Sequence, residues 1–208
     1  LAAANTLDSY RSHTLLAYAG VDTTGQPAKA AVELSVEYAR EPRSRRLVLS
    51  ESGISDKSQG ATQPNLINYY QIGNKLYSNF GSQCMMITGD ETLPFDTPDT
   101  AFLADSNLLF ADQLHLTPAG PDEEVNGIAS RRYTFDIGSL ADWLDLSQGQ
   151  AVKADGQVWI AAEGNYITRL QIDMVLASSG STLAPDLSQG NLRIEYELSD
   201  PNADIAVE

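Results

Sequence analysis

The feature that most constrains this chain is strict alternation of apolar and polar residues, which recurs over residues 31–38, 166–176 and 191–198. Successive side chains of a β-strand point to opposite faces, so this pattern predicts strands with one buried face and one wet face. The apolar positions include Val32, Leu34, Val36, Tyr38, Leu170, Ile172, Met174, Leu192, Ile194 and Tyr196. The segment 166–176 is long for a strand, which favours a strongly curved sheet.

Turn residues link these strands as neighbours. Gly73-Asn74 and Gly164-Asn165 each lie between two strand-like segments, which is typical of hairpins in which Gly supplies a positive φ. Residues 22–25 and 41–44 are further turn candidates, and no βαβ signature is present. The sequence therefore predicts a mainly antiparallel β (α+β) fold with about 8–11 strands.

Helices are predicted only where the alternation stops. Thr97-Pro98 is a start signal for a helix to about residue 113, and Ser139 opens a shorter one over 139–144. Residues 1–9 are a third candidate. The Gly-, Pro- and Ser-rich segments read as loops, not linkers, because strands resume on both sides of each. We therefore expect residues 1–208 to form a single domain.

The charge balance excludes some functions. The chain has 13 Lys and Arg against 28 Asp and Glu, a formal charge of −15, which argues against nucleic-acid binding and against a role that needs an anionic bilayer surface. A hydrophobic content of 42% describes an ordinary folded domain. One cysteine cannot form an intramolecular disulfide, and the soft ligands are too few for a zinc site. We expect no cofactor and no metal.

No catalytic motif is present, so we expect no enzyme and no catalytic residue. Cys84 is the one candidate nucleophile, with His13 or His115 as base, but its apolar neighbours favour a buried structural thiol. Asp200, Asn202 and Asp204 have the oxygen spacing of a calcium loop, without the glycine and the distal Glu that such a loop needs. Neither feature predicts a site.

The order of these segments resembles the LolA/LolB-like lipoprotein-carrier superfamily, and is closest in pattern to the LppX/LprG-type lipid-binding lipoproteins. The resemblance covers most of the chain, although it is carried by strand and turn residues. It rests on Leu7-Asp8-Ser9-Tyr10-Arg11, Ile72-Gly73-Asn74-Lys75-Leu76-Tyr77, Val125-Asn126-Gly127-Ile128 through Arg132-Tyr133, Gly156-Gln157-Val158-Trp159-Ile160 and Gly164-Asn165-Tyr166-Ile167-Thr168-Arg169-Leu170.

The resemblance implies a strongly curved, open half-barrel whose concave apolar face, covered by two or three short helices, holds acyl chains. It also implies an extracytoplasmic location, periplasmic or at the cell surface, with an export signal and often a lipid-anchored cysteine upstream. The sequence begins at Leu1 without Met or a leader, so we expect a mature or excised fragment. Any membrane attachment would then be through that N-terminal segment.

Two hypotheses follow. The first is a monomeric, non-catalytic carrier of an acyl lipid or a lipidated protein, whose apolar cavity is lined by Val32, Leu34, Val36, Tyr38, Leu170, Ile172, Met174, Leu192, Ile194 and Tyr196, with Phe102 and Phe110 from the covering helix. The alternative is a cell-surface structural or protein-interaction module in which the same residues form a fully packed core. A continuous apolar cavity that opens to solvent distinguishes the first from the second.

Overall fold

Twelve β-strands make up most of the part of the chain that the computed structural model describes, namely residues 4–22, 24–53, 65–80, 83–87, 116–135, 151–176 and 187–207. A 3-10 helix, Ala4–Thr6, precedes them. The strands are β1 Ser9–Asp22, β2 Pro27–Ala39, β3 Ser44–Ser52, β4 Asn65–Ile72, β5 Lys75–Phe80, β6 Gln83–Ile87, β7 Leu116–Pro118, β8 Glu123–Val125, β9 Ile128–Phe135, β10 Ala151–Ala161, β11 Ile167–Leu176 and β12 Leu187–Ser199.

The described strands form one antiparallel sheet in the order β6-β5-β4-β3-β2-β1-β12-β11-β10-β9-β7, with β8 paired to β9. The first and last strands of the chain, β1 and β12, pair in the middle of this order. The strands at the two ends of the order do not pair with each other, so the sheet is open. The prediction of a mainly antiparallel, open sheet is confirmed.

The predicted strand count was too low. The sheet holds twelve described strands, where about 8–11 were predicted. The short strands β7 and β8 have three residues each, and three residues cannot display a period of two that stands out from a loop.

The predicted helices over 97–113 and 139–144 lie outside the described residues. Of the third, over 1–9, the described residues 4–9 contain the 3-10 helix Ala4–Thr6 and no α-helix, because β1 already begins at Ser9. The predicted hairpin at Gly73-Asn74 joins β4 to β5, with Ile72 opposite Lys75 and a positive φ of 58° at Gly73. A positive φ costs glycine little, which explains its position in this turn.

The alternation in the sequence becomes a sheet with two unlike faces. One side, here called the inner face, carries the core residues of β1 to β3 and β9 to β12, such as Leu34, Ile172 and Ile194. The opposite side, the outer face, carries charged residues such as Glu33, Glu37 and Glu197. Directly opposed residues of antiparallel strands share a face, so the register alone assigns each side chain to its side.

Candidate functional site

The inner face brings together all ten predicted site residues that the structure describes. Register places them in rows that cross four or more strands. One row is Leu34, Thr14, Tyr196 and Leu170, and the next is Val32, Leu16, Ile194 and Ile172. Met174 and Leu192 belong to the row of Tyr18, and Val36 and Tyr38 extend the face toward the start of β1. Phe102 and Phe110 lie outside the described residues.

Burial of this face is nearly complete. Eight of the ten residues are buried, and Val32 and Tyr38 are half-buried and pack against the core. The rings of Tyr10 and Tyr38 meet at a centroid distance of 5.2 Å and mark the end of the face at the start of β1. The face is therefore continuous and mostly apolar over the central strands.

The sequence patterns missed the contribution of the central strand. Leu16 and Tyr18 of β1 lie in the middle of the inner face, and Leu47 and Val158 extend it to both sides. In β1 the outer positions Leu15 and Ala17 are apolar as well, so the binary pattern that identifies the neighbouring strands is blurred.

Two polar residues of β1, Ser12 and Thr14, are buried on the inner face. Ser12 lies on β1 opposite Val36 of β2 and Leu198 of β12, and only 5% of the residue is exposed. Its hydroxyl has no hydrogen-bond partner among the residues that the structure describes. A buried hydroxyl without a partner costs about 1–3 kcal/mol, so Ser12 is an unusual choice in an apolar face.

The outer face bears a groove of about 490 Å³ over β1, β2 and β12, lined by charged groups. Arg11 pairs with Glu37 at 3.2 Å and with Asp200 at 2.8 Å, and Arg46 lies 3.4 Å from Glu37. The hydrogen bonds from Arg11 to Asp200 and Glu37 raise the pKa of its guanidinium. These charges neutralise one another. Ser35 and His13 also line the groove as opposed residues of β2 and β1, and His13 Nε2 lies 3.7 Å from Glu33, but no hydrogen bond joins Ser35 to His13 in the part of the chain that the structure describes.

Cys84 is exposed, so the prediction of a buried structural thiol is wrong. It lies on β6, five strands away from His13 on β1. At about 4.8 Å per strand the two residues are separated by roughly 24 Å measured along the sheet, and no pairing of the described strands brings them together for proton transfer. His115 lies outside the described residues. Within the described ranges, no three His, Cys, Asp or Glu side chains are grouped to hold a metal ion.

Comparison with known proteins gives one informative result. No family model matches the chain, and no curated protein matches it. Among solved structures, a LolA superfamily protein from Nitrosomonas europaea matches 97% of this chain and 88% of its own, at 10% identity and a TM-score of 0.31. That protein belongs to the superfamily that this sequence resembles. At this TM-score the two backbones differ widely in detail, and the proposals below are argued from this chain's own residues.

No helix of the described residues combines the length and the apolar composition needed to cross a membrane.

Proposed function

We propose that the protein is a non-catalytic, extracytoplasmic carrier that holds acyl chains against the inner face of its sheet. The observation that carries this proposal is the continuous apolar face built from Leu34, Ile172, Ile194 and their neighbours in an open sheet. In the proposed form the sheet is a strongly curved half-barrel, and short helices that include Phe102 and Phe110 cover its concave side.

The size of the face fits such a ligand. Four central strands, β2, β1, β12 and β11, span about 14 Å at 4.8 Å per step, enough width for more than one acyl chain. Burial of about ten methylene groups would contribute roughly 8 kcal/mol before the cost of association is subtracted. Shape and apolar area therefore suffice for binding without a reactive group.

Ser12 gives the proposal a polar contact. Its buried hydroxyl can donate a hydrogen bond to an ester or carboxylate oxygen of the ligand, which would offset the cost of burying it. A fully packed interaction module, the alternative function, has no use for an unpaired hydroxyl at this position. The proposed ligand is thus an acyl lipid, or the acyl chains of a lipidated protein, bound with its polar group near the start of β1.

The proposed carrier acts as a monomer, and residues 1–208 form its single domain. A covalent lipid anchor, where the protein carries one, is on an N-terminal segment outside this sequence. These features accompany the carrier function and are tested with it.

Binding is measured by native mass spectrometry of protein purified without detergent, and by titration with a fluorescent fatty acid. We expect co-purified acyl lipid and saturable uptake of the probe. Ser12→Ala should weaken uptake while leaving the unfolding free energy unchanged or higher, because it removes a buried unpaired hydroxyl. The matched control is Ser50→Ala, an outer-face serine of β3, which should change neither quantity.

A bare mass together with no uptake of the probe would overturn the carrier function in favour of the packed module. Uptake that Ser12→Ala leaves unchanged would retain the carrier but remove the proposed polar contact.

A further inference from the structure

A second surface, away from the inner face, has properties that the carrier function does not explain. It lies on the outer face of β4, β5 and β6 and consists of Leu66, Tyr70, Ile72, Tyr77 and Met86, here called the β4–β6 patch. Leu66, Ile72 and Met86 are 55%, 57% and 55% exposed. Ile72 and Met86 lie beside the opposed pair Tyr70 and Tyr77, whereas Leu66 lies about 13 Å further along β4, beyond Asn68 on the same face.

The patch is held in place by a row of side chains across five strands. Glu37, Arg46, Tyr70, Tyr77 and Met86 are successive opposed residues of β2 to β6. Arg46 contacts Glu37 on one side, and its Cζ lies 5.8 Å from the centroid of the Tyr70 ring on the other. This cation–π contact fixes a tyrosine at the border between the charged outer face and the patch.

The segment that contains the patch carries no acidic residue, unlike the rest of the chain. Between Asp56 and Asp90 the sequence has no Asp or Glu, although the protein has 28 acidic residues. The net charge of −15 is therefore carried elsewhere. This net charge is a sum over the whole chain, and at physiological salt the acidic residues that lie more than about 10 Å from the patch have little electrostatic effect on it.

Basic residues lie at one corner of the patch. Gly73 N donates to Arg43 O at 2.8 Å, which brings the β2–β3 turn against the β4–β5 turn. The exposed Arg43 and Lys75 thus flank Ile72. Arg46 lies on β3 two residues beyond Ser44, which is the residue opposite Ile72. An exposed isoleucine therefore has two cations beside it, Arg43 and Lys75, while Arg46 pairs with Glu37 and the exposed Glu41 lies in the same turn as Arg43.

We propose that the β4–β6 patch docks the protein on a phospholipid bilayer that contains anionic headgroups. Leu66, Ile72 and Met86 enter the boundary between headgroups and acyl chains, and Tyr70 and Tyr77 lie at the interface, where their amphipathic rings are favoured. Arg43 and Lys75 contact lipid phosphates. The acidic remainder of the chain stays in solvent, so the charge distribution sets the orientation of docking.

Charge complementarity favours a bilayer over a second copy of this chain. A symmetric dimer whose twofold axis passes near Ile72 would place the cationic corners of the two copies against each other, and like charges oppose such a contact. A bilayer with anionic lipid offers complementary charge to the same corner.

The docking proposal goes beyond the carrier function and uses the opposite face of the sheet. The two are therefore separable by experiment. Uptake of a soluble fatty-acid probe reports on the inner face alone, and vesicle binding by protein without probe reports on the patch alone.

The test is co-flotation of the intact chain with vesicles of equal parts phosphatidylglycerol and phosphatidylcholine, at low and high salt. We expect binding that weakens as salt rises and that falls about tenfold or more in Ile72→Asp and in Met86→Asp, since a charge at the boundary opposes insertion. Val175→Asp is the matched control, because Val175 is an exposed apolar residue on the outer face of β11, and it should bind as the parent does.

A second readout uses Cys84, which is exposed on the outer face beside the patch. An environment-sensitive fluorophore on this thiol should shift toward the blue when these vesicles are added. No co-flotation, or an equal loss in Val175→Asp, would overturn the proposal. A change of oligomeric state in Ile72→Asp without a change in vesicle binding would assign the patch to a protein partner instead.

Discussion

The ring of Phe135 lies over Gly156, the residue directly opposite it on the neighbouring strand. A Cβ atom at position 156 would stand 2.5 Å from both Cε2 and Cζ of that ring. Phe135 is itself buried, so the ring has little room to withdraw. The contact explains why β10 carries a glycine within a strand, where glycine is ordinarily unfavourable.

Gly156→Ala is therefore expected to destabilise the protein by about 1–3 kcal/mol, the usual cost of overpacking a core. Urea denaturation of the two proteins measures this difference. In a Phe135→Leu background the same substitution should cost less, because the atoms that clash with the new methyl group are gone. An equal cost in both backgrounds would show that the ring is not the cause.

A buried pair of hydroxyls joins β9 to β11. Ser130 Oγ lies 2.9 Å from Thr168 Oγ1, and either hydroxyl can be the donor. Each is also within hydrogen-bond distance of a carbonyl oxygen, Ile128 O at 2.9 Å from Ser130 and Trp159 O at 3.2 Å from Thr168, so one hydroxyl donates to the other and the second donates to its carbonyl. Both residues are fully buried. Thr168→Val should lower the unfolding free energy by about 1–3 kcal/mol, since it leaves buried groups without a partner.

The double variant Ser130→Ala/Thr168→Val provides the control. If the two hydroxyls stabilise each other, the loss in the double variant is smaller than the sum of the single losses, as measured by urea denaturation. Strict additivity would contradict the coupling.

Cys84 should behave as an accessible thiol. We expect it to react with a colorimetric disulfide reagent in the native protein at a rate similar to that in urea, because the residue is exposed. Cys84→Ser should abolish the reaction and change the unfolding free energy by less than about 0.5 kcal/mol, as is usual for surface positions. Protection of the thiol until the protein unfolds would contradict the exposed position of β6.

The residues explain how far the sequence could predict this fold. Alternation predicted β2, β11 and the second half of β12 with the correct residues on the inner face, because the two-residue period fixes which side chains share a side. It could not identify the order of the strands. Met85, Met86 and Ile87 beside Cys84 suggested burial, but β6 lies at one end of the described sheet, and its local sequence does not encode that position.

For the inner face and the β4–β6 patch as well, the sequence predicts which residues share a side of a strand but not which strands are neighbours. Leu34 and Ile194 could be assigned to one face from the sequence, whereas the unpaired Ser12 hydroxyl between Val36 and Leu198 depends on register across three strands. The acid-free segment between Asp56 and Asp90 is visible in the sequence, but its meaning is not. Only the pairing of β4, β5 and β6 places Ile72, Tyr77 and Met86 on the same face.

Two tyrosines give the stability of the protein a dependence on alkaline pH. Burial, with the charge of Glu163 as a smaller cause, raises the pKa of Tyr166 above its ordinary value of 10.0, and burial together with Glu51 raises the pKa of Tyr69. The folded state thus favours the neutral phenol. This contribution to stability is complete below pH 10.0 and is lost as the pH rises through the raised pKa values.

We therefore expect the unfolding free energy to fall as the pH is raised above 10.0, and Tyr166→Phe to make that fall shallower, because phenylalanine keeps the ring and removes the titrating group. Urea denaturation at a series of pH values measures the slope, and tyrosinate absorbance follows the titration itself. Tyr69→Phe should flatten the slope in the same direction. A buried phenol with a raised pKa must contribute to the slope, so its removal must change the slope. If neither variant alters the slope, the alkaline loss of stability arises from other groups.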